Sequence, residues 1–123
     1  MAWLSPISAG VVGSLMMISS QAPAQSQHIT DAVTHAQAGV VQGHQGYPDA
    51  LVTQAQEALT HTEAAKKEMN NPHLDEGIRL LKSAIDHGKQ GHSEPAIRDL
   101  ENALTHLWAV EHPPAEASED DGY

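Results

Sequence analysis

Asn71-Pro72-His73-Leu74-Asp75-Glu76-Gly77-Ile78-Arg79-Leu80-Leu81-Lys82-Ser83-Ala84-Ile85-Asp86-His87 is the stretch on which the fold turns. Leu74, Ile78, Leu81 and Ile85 recur at steps of four and three, the period of a helix with one apolar seam. Asn70-Asn71-Pro72 supplies the turn before it, and Gly88 and Gly91 loosen its end. The same steps continue on both sides. Downstream, Ile97, Leu100, Leu104 and Leu107 form the seam of a helix that Ser93 is expected to cap, with Pro95 in its first turn and Pro113-Pro114 at its end. Upstream, Val52, Ala55, Leu59 and Thr62 give a helix ending near Met69. Ile29, Val33, Ala36 and Val40 give another, which runs into the breaker cluster Gly43-His44-Gln45-Gly46-Tyr47-Pro48.

The two halves repeat each other at a shift of 45 residues. Ala58-Leu59-Thr60-His61 falls on Ala103-Leu104-Thr105-His106, Gly43, Gln45 and Gly46 fall on Gly88, Gln90 and Gly91, and His28 falls on His73. Each half is therefore a helical hairpin. Short connections make sequential helices antiparallel neighbours, so the expected fold is all-α, an up-down-up-down antiparallel four-helix bundle made of two repeated hairpins. A pair of extended hairpins swapped between chains is the structural alternative.

Nine histidines decorate this frame. His28, His35, His61, His73, His87 and His106 share one heptad position, which becomes c if the seam residues are a and d, so they border the core without filling it. Two histidines seven apart on one helix are separated by about 10.5 Å of rise, too far to chelate one ion. A site must be built between helices. In an antiparallel hairpin, facing residues keep a constant sum of residue numbers. A sum of 89 pairs His28 with His61, His35 with Gln54 and Gln42 with Tyr47; a sum of 179 pairs His73 with His106, Leu80 with Asp99 and His87 with His92. Carboxylates stand within a helical turn of several: Asp31 three after His28, Glu76 three after His73, and Glu57 four before His61. Imidazole and carboxylate suit Cu(II), Ni(II) and Zn(II), with Cu(II) tightest by intrinsic preference. The expected metal ligands are His28, His35, His61, His73, His87, His92 and His106, with Asp31, Glu76 and Asp99. His44 in a loop and His112 at a helix end are read as solvated.

Composition removes other classes. A formal charge of -10 without a basic patch argues against nucleic acid as a partner, and the absence of cysteine rules out disulfides, thiolate zinc sites and thiol catalysis. Alanine supplies much of the apolar content and phenylalanine is absent, so a thin, close-packed core of modest stability is expected. Trp108 is read as a packing residue at the bundle end. Pro6 to Ile18 is uncharged and mostly small or apolar, and Ala22-Pro23-Ala24 has the small-residue pattern of a cleavage site. Residues 1–24 thus read as a signal peptide, residues 25–112 as a helical metal-binding domain, and residues 113–123 as an acidic disordered tail. The expected location is the periplasm, with no membrane insertion once the signal is removed. An uncleaved anchor is the alternative, since no Lys or Arg precedes the apolar run.

Ala32-Val33-Thr34-His35-Ala36, Ala58-Leu59-Thr60-His61, Ala84-Ile85-Asp86-His87-Gly88, Ala103-Leu104-Thr105-His106 and Asn71-Pro72-His73-Leu74-Asp75-Glu76-Gly77 together resemble the small metal-binding proteins of the bacterial periplasm. The resemblance covers nearly all of residues 28–110. It implies reversible binding of several divalent ions, chiefly copper, in a buffering or scavenging role. Gln54, Leu80 and Asp99 stand where that pattern would place histidine, which implies lower capacity here. Asp99 can ligate through oxygen, Gln54 only weakly and Leu80 not at all.

No HExxH pair, paired nucleophile and base, haem-attachment motif or phosphate loop is present, so an enzyme is not expected. The expected partners are metal ions, bound by a monomer; no motif names a protein partner. The rival reading is a metal-independent adaptor or a pH-responsive bundle that uses the same histidines as a charge switch.

Overall fold

A computed structural model describes residues 24–114, with side chains from Gln27. The signal-peptide reading and most of the tail reading fall on residues 1–23 and 115–123, outside the described residues. Four helices follow one another: α1 (Ala24–His44), α2 (Pro48–Glu68), α3 (Pro72–Lys89) and α4 (Ser93–Glu111). Each packs on its neighbour in sequence and α4 closes onto α1, which gives the antiparallel four-helix bundle. No described helix is long and apolar enough to cross a membrane.

Local chemistry sets the helix ends. The turns after α1 and α3 are copies. Gly46 at φ +86° and Gly91 at φ +79° take the left-handed conformation that an L side chain resists. Tyr47 N–H donates to Gln42 O at 2.9 Å and His92 N–H to His87 O at 2.9 Å, while Gly46 and Gly91 donate to the carbonyls of Gly43 and Gly88. This is the Schellman pattern, repeated at the same shift as the sequence. The middle turn is different. Asn71 Oδ1 accepts from His73 N–H at 2.8 Å, and Pro72 occupies the first helical position, where its missing N–H costs nothing. Ser93 is not the cap expected of it. His92 holds the N-cap position of α4 and makes no side-chain capping bond, because the helix starts one residue earlier than the serine reading required.

The expected seam is buried throughout α3 and fails only at Val33, Val40, Leu59 and Leu104, but the most central line is rotated from it. The line through the bundle centre runs along Ile29, Ala32, Ala36, Gly39 and Gly43 in α1, and along Leu51, Ala55, Ala58, Thr62 and Ala65 in α2. In α3 and α4 it runs along Leu74, Gly77, Leu81, Ala84 and Gly88, and along Ala96, Leu100, Ala103, Leu107 and Val110. Val33, Val40, Leu59 and Leu104, counted as seam in the sequence, lie at its edge and stay partly exposed. Alanine or glycine holds most of these central positions and lets helix backbones approach closely. A Cβ on Gly88 would fall 2.5 Å from Val52 Cγ2. Thr62, the one buried polar side chain among the described residues, turns its hydroxyl back to Ala58 O at 2.8 Å and so leaves no unmet donor.

With the seam rotated in this way, the histidine position is g, beside the small residues, and not the more remote c. In an antiparallel pair the two g rows face each other across the interface. Alanine and glycine next to them bring the rings within contact distance. Trp108 does not pack the bundle end as expected; its indole is 60% exposed and stacks on His112 with ring centres 4.0 Å apart.

Candidate metal centre

Two rows of polar side chains result, one along the α1–α2 seam and one along the α3–α4 seam. His28 and His61 meet in the first, Nδ1 to Nδ1 at 3.4 Å. His73 and His106 meet in the second at 3.0 Å. Two neutral imidazoles make such a contact only as one donor and one acceptor. When both lone pairs turn inward, the contact becomes a clamp for a cation. Metal–nitrogen bonds of about 2.0–2.1 Å place two ligand nitrogens about 2.9 Å apart at right angles and about 3.3 Å apart at tetrahedral angles. The observed separations match the nitrogen spacing of either geometry, with a change of tautomer and ring orientation needed to aim both lone pairs at one ion.

The first row is richer than a single pair. The ligand atoms of His35, Glu57 and His61 all lie within 4.8 Å of one another, on side chains that are half-buried, exposed and half-buried respectively. The His35 and His61 rings stack with centres 5.6 Å apart and 7° between planes. Gln54 Oε1 accepts from His35 Nδ1 at 2.9 Å, which leaves the lone pair of that ring on Nε2. Gln54, read in the sequence as a weak ligand, thus orients its neighbour. Asp31 Oδ2 stands 3.8 Å from His61 Nδ1, across the hairpin from the partner assigned to it by sequence spacing. Glu68 Oε2 lies 4.0 Å from His28 Nε2, on the side of the ring away from His61.

The second row is sparser. Leu80 takes the position of His35 and is buried in the core. Glu76 is drawn to Arg79, whose guanidinium donates to Glu76 Oε1 at 2.9 and 3.2 Å. Its counterpart in the first hairpin, Asp31, has Thr34 at the equivalent place and no such competitor. Asp99 binds elsewhere than the opposite-residue rule gave: Oδ2 accepts from Ser83 Oγ at 2.6 Å and from His87 Nδ1 at 2.8 Å. His87 is therefore turned to Asp99, and the expected His87–His92 rung is replaced by a histidine–carboxylate pair. Constant-sum pairing assumes continuous helices, and His92 sits before α4 begins, exposed, with its N–H and carbonyl used in the turn. His44 and His112 are exposed. His112 Nδ1 donates to Trp108 O at 2.9 Å.

Of the ten ligands expected from sequence, the structure brings His28, His35, His61 and Asp31 to one row, and His73 and His106 to the other, with His87 and Asp99 paired beyond them. His92 and Glu76 stand apart from these groups. Glu57 is the residue that sequence reasoning noted but left out. Its signal was present, because a residue four before His61 lies on the same face as that ring and above it.

The family model described as small metal-binding protein matches residues 1–110. No curated protein matches the chain. Since the match takes in both hairpins and every histidine of both rows, the chain belongs to the small metal-binding protein family.

Proposed function

We propose that this chain is a periplasmic buffer for divalent metal ions, Cu(II) first and Ni(II) and Zn(II) after it, holding them reversibly along the two seam rows. The carrying observation is the pair of cross-helix imidazole contacts, at 3.4 and 3.0 Å, spaced as ligands of one ion are spaced. The donors are nitrogen and carboxylate oxygen without thiolate, a set that favours borderline divalent ions over Cu(I). The helices supply rigid supports and the rows stay open to solvent, which suits exchange more than enclosure. The export-signal pattern of residues 1–24 supports a location outside the cytoplasm. The ion is cargo in this reading, and no catalysis is assigned. A monomer suffices, since every pair described lies within one chain.

Equilibrium dialysis of the metal-stripped chain against Cu(II), Ni(II) and Zn(II) tests this, at about pH 7.5 and again at about pH 5.5, on either side of the ordinary histidine range. Proton and metal compete for the same lone pair, so binding is lost as pH falls. The expected result is more than one ion per chain at the higher pH and little at the lower. No binding above a histidine-poor control would overturn the proposal. Acid-induced repacking in the metal-free chain would then favour a charge switch built on the same ring pairs.

A further inference from the structure

The two hairpins repeat each other at a shift of 45 residues, yet their ligands are unequal, and the difference centres on His61. Toward the α2–α3 end, its Nδ1 faces His28 Nδ1 at 3.4 Å and Asp31 Oδ2 at 3.8 Å. Toward the α1–α2 turn, its ring lies against His35 and converges with His35 and Glu57. His35, Glu57 and His61 bring all three ligand atoms within 4.8 Å of one another, whereas His28 and Asp31 each approach His61 as a separate pair contact; the two sets are adjacent steps of one row, and His61 belongs to both. In the second hairpin, His106 has only His73. The places of His35 and Glu57 are held there by Leu80 and Asn102, neither of which is a useful ligand.

A neutral imidazole has one lone pair to give, because its other nitrogen carries the proton. His61 can therefore complete one group or the other, but not both together. We propose that the first hairpin carries two overlapping sites that share His61, one with His28 and Asp31 and one with His35 and Glu57, so that it holds a single divalent ion that exchanges between them. This rests on the metal-binding reading above and deepens it. His61 supplies the transfer step, since an ion leaving one group keeps a ligand while it gains the next. Gln54 supports the second group by holding His35 with its Nε2 lone pair available. The second hairpin lacks the step and keeps an isolated pair. The first hairpin is accordingly the tighter half, because two ways of holding the ion add to its bound population.

The test uses Cu(II) as the probe and the full chain with His44, His73, His87, His92, His106 and His112 changed to Ala, so that the first row holds the only histidines left. Expected are one Cu(II) per chain and an electron paramagnetic resonance spectrum containing two Cu(II) species. His28→Ala and Glu57→Gln each leave one group intact. Each should weaken binding only about two- to tenfold and reduce the spectrum to a single species, a different one in each variant. His61→Ala, and His61→Gln as a second variant, remove both groups and should weaken binding by about a hundredfold or more. Circular dichroism of each variant verifies that the helices persist.

Two Cu(II) per chain with a magnetically coupled signal would mean that His61 bridges as an imidazolate, and would overturn mutual exclusion. Loss on Glu57→Gln or His28→Ala as large as on the His61 variants would reduce the row to one site. A His61 effect no larger than theirs would deny the shared ligand. Absence of Cu(II) binding by the unaltered chain would overturn the function proposal along with this one, and so is distinguishable from the other outcomes.

Discussion

Gly77 and Gly88 lie in the same helix, both buried, and alanine at each should have opposite consequences. In a helix interior alanine is favoured over glycine by about 1 kcal/mol, a gain that applies in full at Gly77 and at most in part at Gly88, the second-last residue of α3. What differs is the space. A Cβ on Gly77 would meet Leu107 Cδ2 at 3.6 Å and Thr62 Cγ2 at 3.9 Å, ordinary van der Waals distances. On Gly88 it would fall 2.5 Å from Val52 Cγ2 and 3.3 Å from Leu51 Cδ2, and valine has little rotameric freedom with which to yield. Overpacking of this kind costs about 1–3 kcal/mol. Gly77→Ala should therefore stabilise the bundle by about 1 kcal/mol, which in a domain of this size raises Tm by about 4–8 °C. Gly88→Ala should be neutral or destabilising by up to about 3 kcal/mol, the overlap cost less at most part of the propensity gain. The propensity gain is at most about 1 kcal/mol at either position, so a difference between the variants larger than that reports packing. Urea unfolding in chelator, compared at equal m-value, measures it. A Gly88→Ala variant as stable as Gly77→Ala would refute the claim that small seam residues set the α2–α3 approach.

Other outcomes follow from the same structure. Asn71→Ala removes the acceptor for His73 N–H and should cost about 1 kcal/mol in urea unfolding, whereas Ser93→Ala, at a residue that makes no capping bond, should cost much less. Leu81→Ala, at a fully buried seam position, should cost about 2–5 kcal/mol and show as a lowered urea midpoint. Free Cu(II) or Zn(II) at about a hundred times its Kd should stabilise the native chain by about 2.7 kcal/mol, read as a rise in Tm that chelator reverses. The rise should be smaller in a His28, His61, His73, His106 to Ala variant.

Much of the fold was legible because the breakers are unambiguous. Pro48 and Pro72 each open a helix, and the paired Gly43–Gly46 and Gly88–Gly91 turns mark the repeat in the sequence itself. The direct rungs were legible too, since constant sums put His28 opposite His61 and His73 opposite His106, where the rings meet. Most expected seam residues are buried, and the seam was misplaced only at Val33, Val40, Leu59 and Leu104, for a physical reason. Valine and leucine dominate a reading by hydrophobicity, while the positions that matter for helix approach are held by Ala32, Gly39, Ala58 and Ala103, whose small side chains carry little such signal. The diagonal contacts were missed for another. His35 with His61, and His87 with Asp99, join residues one heptad removed from the direct rung, and only side-chain direction decides between rung and diagonal. Glu76 illustrates a third limit, because a carboxylate at ligand spacing was captured by Arg79 three residues on.

The most direct test is to locate the ions. Crystals of the chain soaked in Zn(II) or Cu(II), with anomalous scattering recorded at the metal edge, should show density within the first row, bound to His61 together with His28 or with His35 and Glu57. A second peak should lie between His73 and His106. Peaks confined to exposed carboxylates such as Glu63 or Glu101, with the four histidines of the two cross-helix pairs unligated, would contradict the assignment of the seam rows as the metal centre.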